Sequence, residues 1–435
     1  MPSFLRFSFR FGRNFIASAI HPTSSIPSGL GEEKRLKSLQ EDDFNKQTSF
    51  ATPSKENLIP FSYFHAALWV TIGIGAFWGF LLLRQLATAS EFTRLNIFEV
   101  NAHGQGQVYG WLGLVFMGAC YRQLTSAEQI TFPFAPLYLI LSGILLNIGG
   151  LYLFSSPLAV FFGGLCLIVA AFFFCIQIYP YALHREQGSP PFLITGLVFL
   201  FLSVIYSLWH HQRVATLGVE EKIFQQVANF QAPLRDLQIH GIALFLAVGL
   251  FADSKSWKGW VCLTAGVVGE ATLFILYRTT GQTYFAALLL LPWLALLAGV
   301  VSTRFSFKLP YLWLILSLIM LLLLPLYSHL SHLRFSHAYY GAIRHAVTVG
   351  CFSQIALLIM HIREAHPPLF RLAIILLNLG CMSRVSLQIL TDFHPIGYVL
   401  IPISGAIELL ALIIAYRSIA LPSLRKVLLR LTLAR

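Results

Sequence analysis

The chain reads as a succession of long apolar runs divided by short polar stretches. From residue 61 onward, nearly charge-free windows follow one another, each about the ~20 residues that a helix needs to cross the hydrocarbon core. The pattern predicts twelve spans, roughly 61–87, 103–124, 134–154, 157–181, 191–212, 236–252, 257–278, 281–303, 308–330, 338–362, 366–391 and 394–420. The sixth is short, and its start is open toward the preceding stretch. Strands would require ~10-residue segments of alternating polarity. The runs here are continuous, so helices are the spanning element. The expected fold is an all-α polytopic membrane bundle, and the lipid bilayer is its first partner.

Composition sharpens this picture. Hydrophobic residues make up 57% and charged residues 11% of the 435, where a soluble domain carries about 25% charged residues. The formal charge of +12 is spread over loops and termini, as membrane topology places it, and gives no argument for nucleic acid. The six cysteines lie in or at the ends of spans without a C-x-x-C pair, which predicts free thiols.

Residues 1–60 stand apart. FLRFSFRFGRNFIASAI is basic and aromatic, and a polar, mixed-charge stretch follows. An organelle transit peptide has this character, and so does a tail with an interfacial anchor. The tail, disordered or interfacial, is the preferred reading. Residues 421–435 form a second basic tail around a membrane domain of 61–420. An even number of spans puts both termini on one side. Eight Lys/Arg at the N-terminus and five at the end (Arg417, Arg425, Lys426, Arg430, Arg435) place both in the cytoplasm, with a bacterial cytoplasmic membrane as the location.

Three histidines, His103, His240 and His345, sit near the starts of spans two, six and ten. With spans 1–4, 5–8 and 9–12 as three units, each second span carries one of them, with glycines close behind: NAHGQGQVYGWLGLVFMG, LQIHGIALFLAVGL and IRHAVTVGCFSQIALLIM. Neutral imidazole is a good ligand for heme iron and for copper. Two histidines from different helices at one depth clamp a heme from both faces, which casts His103 and His345 as axial ligands. His240 is read as completing a copper or second-iron site, or as a heme ligand itself. The bland reading of any one of them is an interfacial histidine. That reading is preferred for His210 and His211 at the end of span five. His329, His332 and His337 flank a loop and read as a solvated cluster, with a secondary copper site as the alternative.

Intramembrane charges are costly and usually functional. Glu270 in span seven is a candidate proton-handling or catalytic group, a metal carboxylate, or the partner of an arginine or a backbone group. Glu408 lies in span twelve. Arg344 and Arg384 are candidates to hold heme propionates, against ordinary snorkelling. Asn147, Gln177, Gln354 and Asn378 are expected to join helices by hydrogen bonds.

The segments HGQGQVYGWLGLVFMG (103–118), RDLQIHGIALFL (235–246), RHAVTVG (344–350) and NLGCMSRV (378–385) resemble the catalytic subunit of heme–copper oxidases and nitric oxide reductases. More closely they resemble the NnrS family of heme- and copper-containing membrane proteins. The resemblance covers about residues 61–420. It implies three four-helix arcs in a pseudo-threefold arrangement, His103 as a low-spin heme ligand, His240 as a copper ligand and His345 as a heme ligand. Span seven departs from the pattern: it has Glu270 and no histidine pair. Span ten has one histidine where the oxidases use H-x-H. One b-type heme, with copper as an optional second metal, is therefore the economical reading. The implied function is gas binding or electron transfer linked to nitric oxide, denitrification or nitrosative stress, with an electron donor or partner subunit. The alternatives are a divergent, quinol-linked nitric oxide reductase or oxidase-like enzyme, and a transporter or cofactor-free bundle.

Overall fold

The computed structural model describes residues 55–433, apart from 93–94, 126–129, 154–155, 186–188, 306, 334–335 and 362–366. The reading of the N-terminal tail lies outside these residues. In chain order the helices are α1 (Leu58–Ala89), α2 (97–124), α3 (Ala135–Leu151), α4 (Pro157–Leu183), α5 (Pro190–Thr216), α6 (Glu220–Phe251), α7 (Trp257–Thr280), α8 (Thr283–Val301), α9 (Lys308–Leu322 with Leu324–Leu330), α10 (His337–Met360), α11 (Pro367–Leu390) and α12 (Ile396–Leu433). The helix that ends the chain runs on through 421–433, where the sequence had been read as a tail.

Among the described residues, nine helices are long and apolar enough to cross a membrane. The pair forming α9 passes the same test together and bends by 56° at its break. Exposed apolar side chains such as Phe162, Phe172, Ile176, Leu291, Leu312 and Ile375 face outward. Such a surface is unsuited to water and ordinary in lipid. The protein is a nearly all-helical polytopic membrane bundle.

α2 is long but carries Glu99, Asn101, His103, Gln105 and Gln107 along its first half. This polarity is tolerated because the helix lies inside the bundle: Glu99, Asn101 and Gln105 are buried. α6 and α10 also lie inside, burying 89% and 72% of their most apolar stretches, against 33–50% in the other candidate spans. α2, α6 and α10 pack on one another at the centre, and α12 closes back on α1.

The sixth helix begins at Glu220, sixteen residues before the start read from sequence. Its first half, EEKIFQQVANFQAPLRD, is too polar to register as a span. It packs on α5 and α7, so α5 is covered there by protein.

The three central helices share a backbone feature. Each contains a π-helical segment: Gly106–Gly113, Leu237–Leu244 and Ala346–Ser353. Gly110, Gly241 and Gly350 each occupy the fifth position of their segment. Each also abuts the helix that precedes its own in the chain. A Cβ at Gly110 would collide with Val70, one at Gly241 would lie 3.0 Å from Phe199, and one at Gly350 would lie 2.6 Å from Trp313. Overpacking at such a contact costs about 1–3 kcal/mol. Gly350→Val is therefore expected to lower the midpoint of detergent-phase thermal unfolding. Gly218→Val, with nothing within 4 Å of its Cβ, is expected to leave that midpoint within the small change typical of exposed sites.

Interhelical hydrogen bonds form at three of the four residues read from sequence, Gln177, Gln354 and Asn378. Tyr121 donates to Gln177 at 2.9 Å, and Gln354 and Trp313 both donate to Asn378, at 2.8 and 2.9 Å. All six cysteines are free.

Candidate functional site

A cavity of about 300 Å³ opens between α1, α2, α10, α11 and α12, with α6 supplying part of the wall. His103 and His345 both line it. Asn96 caps α2, accepting from the backbone N–H groups of Phe98 and Glu99 at 2.9 and 3.4 Å. This fixes the start of α2 and places His103 two turns in. Its Nδ1 donates to the carbonyl of Gly75 in α1 at 2.7 Å. The ring lies against Gly79, where a Cβ would come within 2.6 Å of it, so glycine there leaves room for the imidazole. His345 Nδ1 donates to the carbonyl of Gly341, one turn earlier, at 3.2 Å.

Both rings are thus held through Nδ1 by backbone oxygens. Among the described residues no hydrogen bond engages either Nε2. A ligating histidine typically has this arrangement: one ring nitrogen anchored, the other lone pair available to a metal.

The cavity lining includes apolar Phe80, Leu83, Leu86 and Phe92, and polar Arg235, Arg344, Arg384, Gln388 and Glu408. Arg384 is buried, and its Nε and Nη1 have no partner. Unpaired guanidinium nitrogens in a buried site are expensive, and a ligand carboxylate would satisfy them. Arg344 is committed elsewhere. Its Nη2 donates to Asp236 at 3.0 Å and to the carbonyl of Ala232 at 3.1 Å. It also stacks on Tyr340, 4.6 Å from the ring centre, and Tyr340 donates to the same Asp236 at 2.7 Å. Arg344 Nε also lacks a partner, but Arg384 has two such nitrogens and, among the described residues, no carboxylate hydrogen-bonded to it.

The sequence reading gives Arg235 no role, because it falls just before the start read for span six. It is buried and bound by neutral amides: Nη1 donates to Gln238 at 2.9 Å, and with the Gln231 oxygen turned toward it, Nε and Nη2 donate there at 3.0 Å.

No protein-family model and no curated protein matches this chain. The arrangement of side chains therefore carries the argument.

His240 does not join the other two histidines. Its neighbour Ile239 lines the cavity, while His240 bonds through Nδ1 to Glu270 at 2.8 Å. Trp293 donates to the other Glu270 oxygen at 3.0 Å. The expected meeting of three imidazoles is corrected to two. The reason is register. Counted from the starts of the π segments, His103 lies three residues before, His345 one before and His240 three after. Six residues of helix separate His240 from the His103 level, about 9 Å along the axis. Glu270 is the partner of a buried histidine and indole, not of an arginine.

Among the described residues, no group of three or more His, Cys, Asp or Glu is gathered as metal ligands. No such group forms around His240, which was read as completing a copper or second-iron site, and His329, His332 and His337 are each exposed. Glu270→Ala would strand His240 and Trp293 without their acceptor. It is expected to cost about 1–3 kcal/mol of stability while leaving ligand binding in the cavity unchanged, as checked by detergent-phase unfolding and absorbance titration together.

His210 and His211 are also corrected. They were read as interfacial, yet both are fully buried. α5 runs on to Thr216, and the early start of α6 covers them.

The residues fit a heme. Two imidazoles have available Nε2 atoms, the cavity lies at the lower end of the usual ~300–1,000 Å³ ligand range, its lining includes apolar side chains suited to a ring, and Arg384 offers donors for a carboxylate edge.

Proposed function

We propose that this chain is a heme-binding integral membrane protein in which His103 and His345 supply the axial imidazoles of one b-type heme. The observation that carries the reading is the pair of histidines from α2 and α10, both lining one cavity and both anchored through Nδ1. Arg384 would hold a propionate, and Phe80, Leu83 and Leu86 would offer apolar contact to the ring. Heme supplies one-electron chemistry and affinity for diatomic gases when bound. The protein's own part is to orient two neutral imidazoles, keep bulk water out and offset the propionate charge.

With both axial positions taken by histidine, electron transfer or ligand-displacing sensing fits better than turnover. Nitric oxide is the proposed gas, in the manner of the NnrS-like reading. Copper is left out of the proposal, because His240 is held by Glu270 and lacks companion ligands.

The same reading extends to architecture. α2, α3 and the bent α9 cross with the nine clear spans, giving twelve in three units of four. The matched π segments, with Gly110, Gly241 and Gly350 each against the first helix of its unit, support this repeat. Both termini are proposed to be cytoplasmic, in a bacterial cytoplasmic membrane.

The test is an optical spectrum with iron quantification on protein expressed with heme supply. A Soret band and close to one iron per chain are expected. Protein that stays colourless and iron-free under those conditions would overturn the proposal.

A further inference from the structure

Arg235 is buried beside the cavity without a counter-charge. It is 6% exposed, and it lines the cavity together with Gln231 and Ile239, one turn before and one turn after it on α6. A Cβ at Gly104 of α2 would collide with its Nη2, so glycine there lets the guanidinium lie against the backbone next to His103. Three carboxylates are buried among the described residues, and each is engaged elsewhere. Glu99 accepts from Gln85 at 2.7 Å. Asp236 accepts from Arg344 and Tyr340, and Glu270 accepts from Trp293 and pairs with His240. No carboxylate among the described residues hydrogen-bonds to Arg235.

A guanidinium does not lose its proton in a protein, so this charge stays. The amide oxygens of Gln231 and Gln238 satisfy hydrogen bonds but bring no opposite charge, and a buried charge without one is costly. Donor arithmetic shows where an anion would dock. Arginine carries five N–H groups. Gln231 takes one from Nε and one from Nη2, and Gln238 takes one from Nη1. One N–H is left on each terminal nitrogen. Paired N–H groups of this kind match the two oxygens of a planar anion.

We propose that Arg235 is a second anion subsite of the cavity. Its ligand is a planar, singly charged group with two oxygens: a carboxylate, or a small anion of the same shape such as formate or nitrite. Two sources share this chemistry. One is the second propionate of a bound heme, with Arg384 taking the first. The other is a free anion that enters beside the cavity's main ligand. Binding makes charge-assisted hydrogen bonds and breaks no covalent bond. The subsite rests on the cavity being a ligand site, and not on that ligand being heme.

The first test titrates formate into heme-free, full-length Arg384→Gln protein in lipid nanodiscs, with formate replacing chloride at constant ionic strength. That variant leaves Arg235 as the cavity arginine without a carboxylate. Its unfolding midpoint is expected to rise by at least about 2 °C at saturation, as selective binding to the folded state requires. Adding Arg235→Gln removes the charge and should abolish the rise. Adding Arg235→Lys instead keeps the charge without the fork and should leave a smaller rise. No rise in Arg384→Gln protein, or an equal rise once Arg235→Gln is added, would overturn the subsite.

The second test leaves Arg384 in place and separates the two sources. Wild type and Arg235→Gln are each titrated with heme and with heme dimethyl ester, whose propionates carry no charge. If the occupant is a propionate, Arg235→Gln weakens heme at least about tenfold and the ester by less than about twofold. If it is a free anion, both porphyrins bind the variant as they bind wild type, and formate still stabilises heme-loaded wild type but not heme-loaded Arg235→Gln. Equal weakening of heme and ester would mark Arg235 as a structural residue and overturn the subsite. Protein that takes up neither porphyrin yet keeps the formate response would sink the heme reading and leave the subsite standing.

Discussion

Alanine at His103 or at His345 is expected to strip heme from the purified protein. Removing even a group that orients a ligand typically costs 10–100-fold in metal affinity. Loss of the ligand itself should cost at least about that much, so iron per chain should fall to a small fraction of the wild-type value. The remaining spectrum, if any, should shift from a six-coordinate low-spin form to a high-spin one. Added imidazole should restore part of the low-spin signature, because the cavity left by the side chain is bounded by Gly79 on the His103 side. His240→Leu is the internal control. Its ring is held by Glu270 outside the cavity lining, so heme content should be unchanged even if stability falls. Equal heme content in all three variants would remove the two imidazoles from the site.

Asp236→Ala is expected to produce the largest loss of stability. The carboxylate stands between Arg344 and Tyr340, accepting from each through a different oxygen. It is buried, and its partners come from the neighbouring central helix, so the cluster ties α6 to α10. Breaking a buried pair by removing one partner typically costs about 3–5 kcal/mol, because the surviving charge is left uncompensated. Arg344 would then lack its carboxylate beside the wall of the cavity. The unfolding midpoint in detergent should drop well below that of Gly350→Val. Asp236→Asn should fall between wild type and alanine, since it keeps one acceptor but loses the charge. Arg344→Met in the Asp236→Ala background should recover part of the loss. A double mutant no more stable than Asp236→Ala alone would show that the pair is not the source of the effect.

The helices were legible wherever one face or more meets lipid, because there the apolar run is uninterrupted. α4, α5, α11 and the membrane part of α12 all lie close to the limits read from sequence. The innermost helices were harder. α2 tolerates a polar first half and α6 begins with seventeen residues of low hydropathy, because both face protein. That misread start of α6 had two consequences. It hid Arg235, and it left His210 and His211 looking like residues at a membrane surface. The histidine pair His103 and His345 was visible from placement in the repeat. His240 was grouped with them by its place near the start of its span, whereas the backbone aligns it with Tyr109 and Val349, directly before the shared glycine. Nothing in composition announced the π segments that set this register.

Those segments change how any mutational scan of the central helices should be read. A π turn holds about one residue more than an α turn, and one residue corresponds to about 100° of rotation on a helical wheel. A single wheel drawn through α2, α6 or α10 therefore loses phase across 106–113, 237–244 and 346–353. Tolerant and intolerant positions should follow one period before each segment and a rotated one after it. Removing Val347, which does not line the cavity, would swing His345 around the axis relative to the half of α10 beyond it, and out of line with His103, without removing any side chain of the cavity.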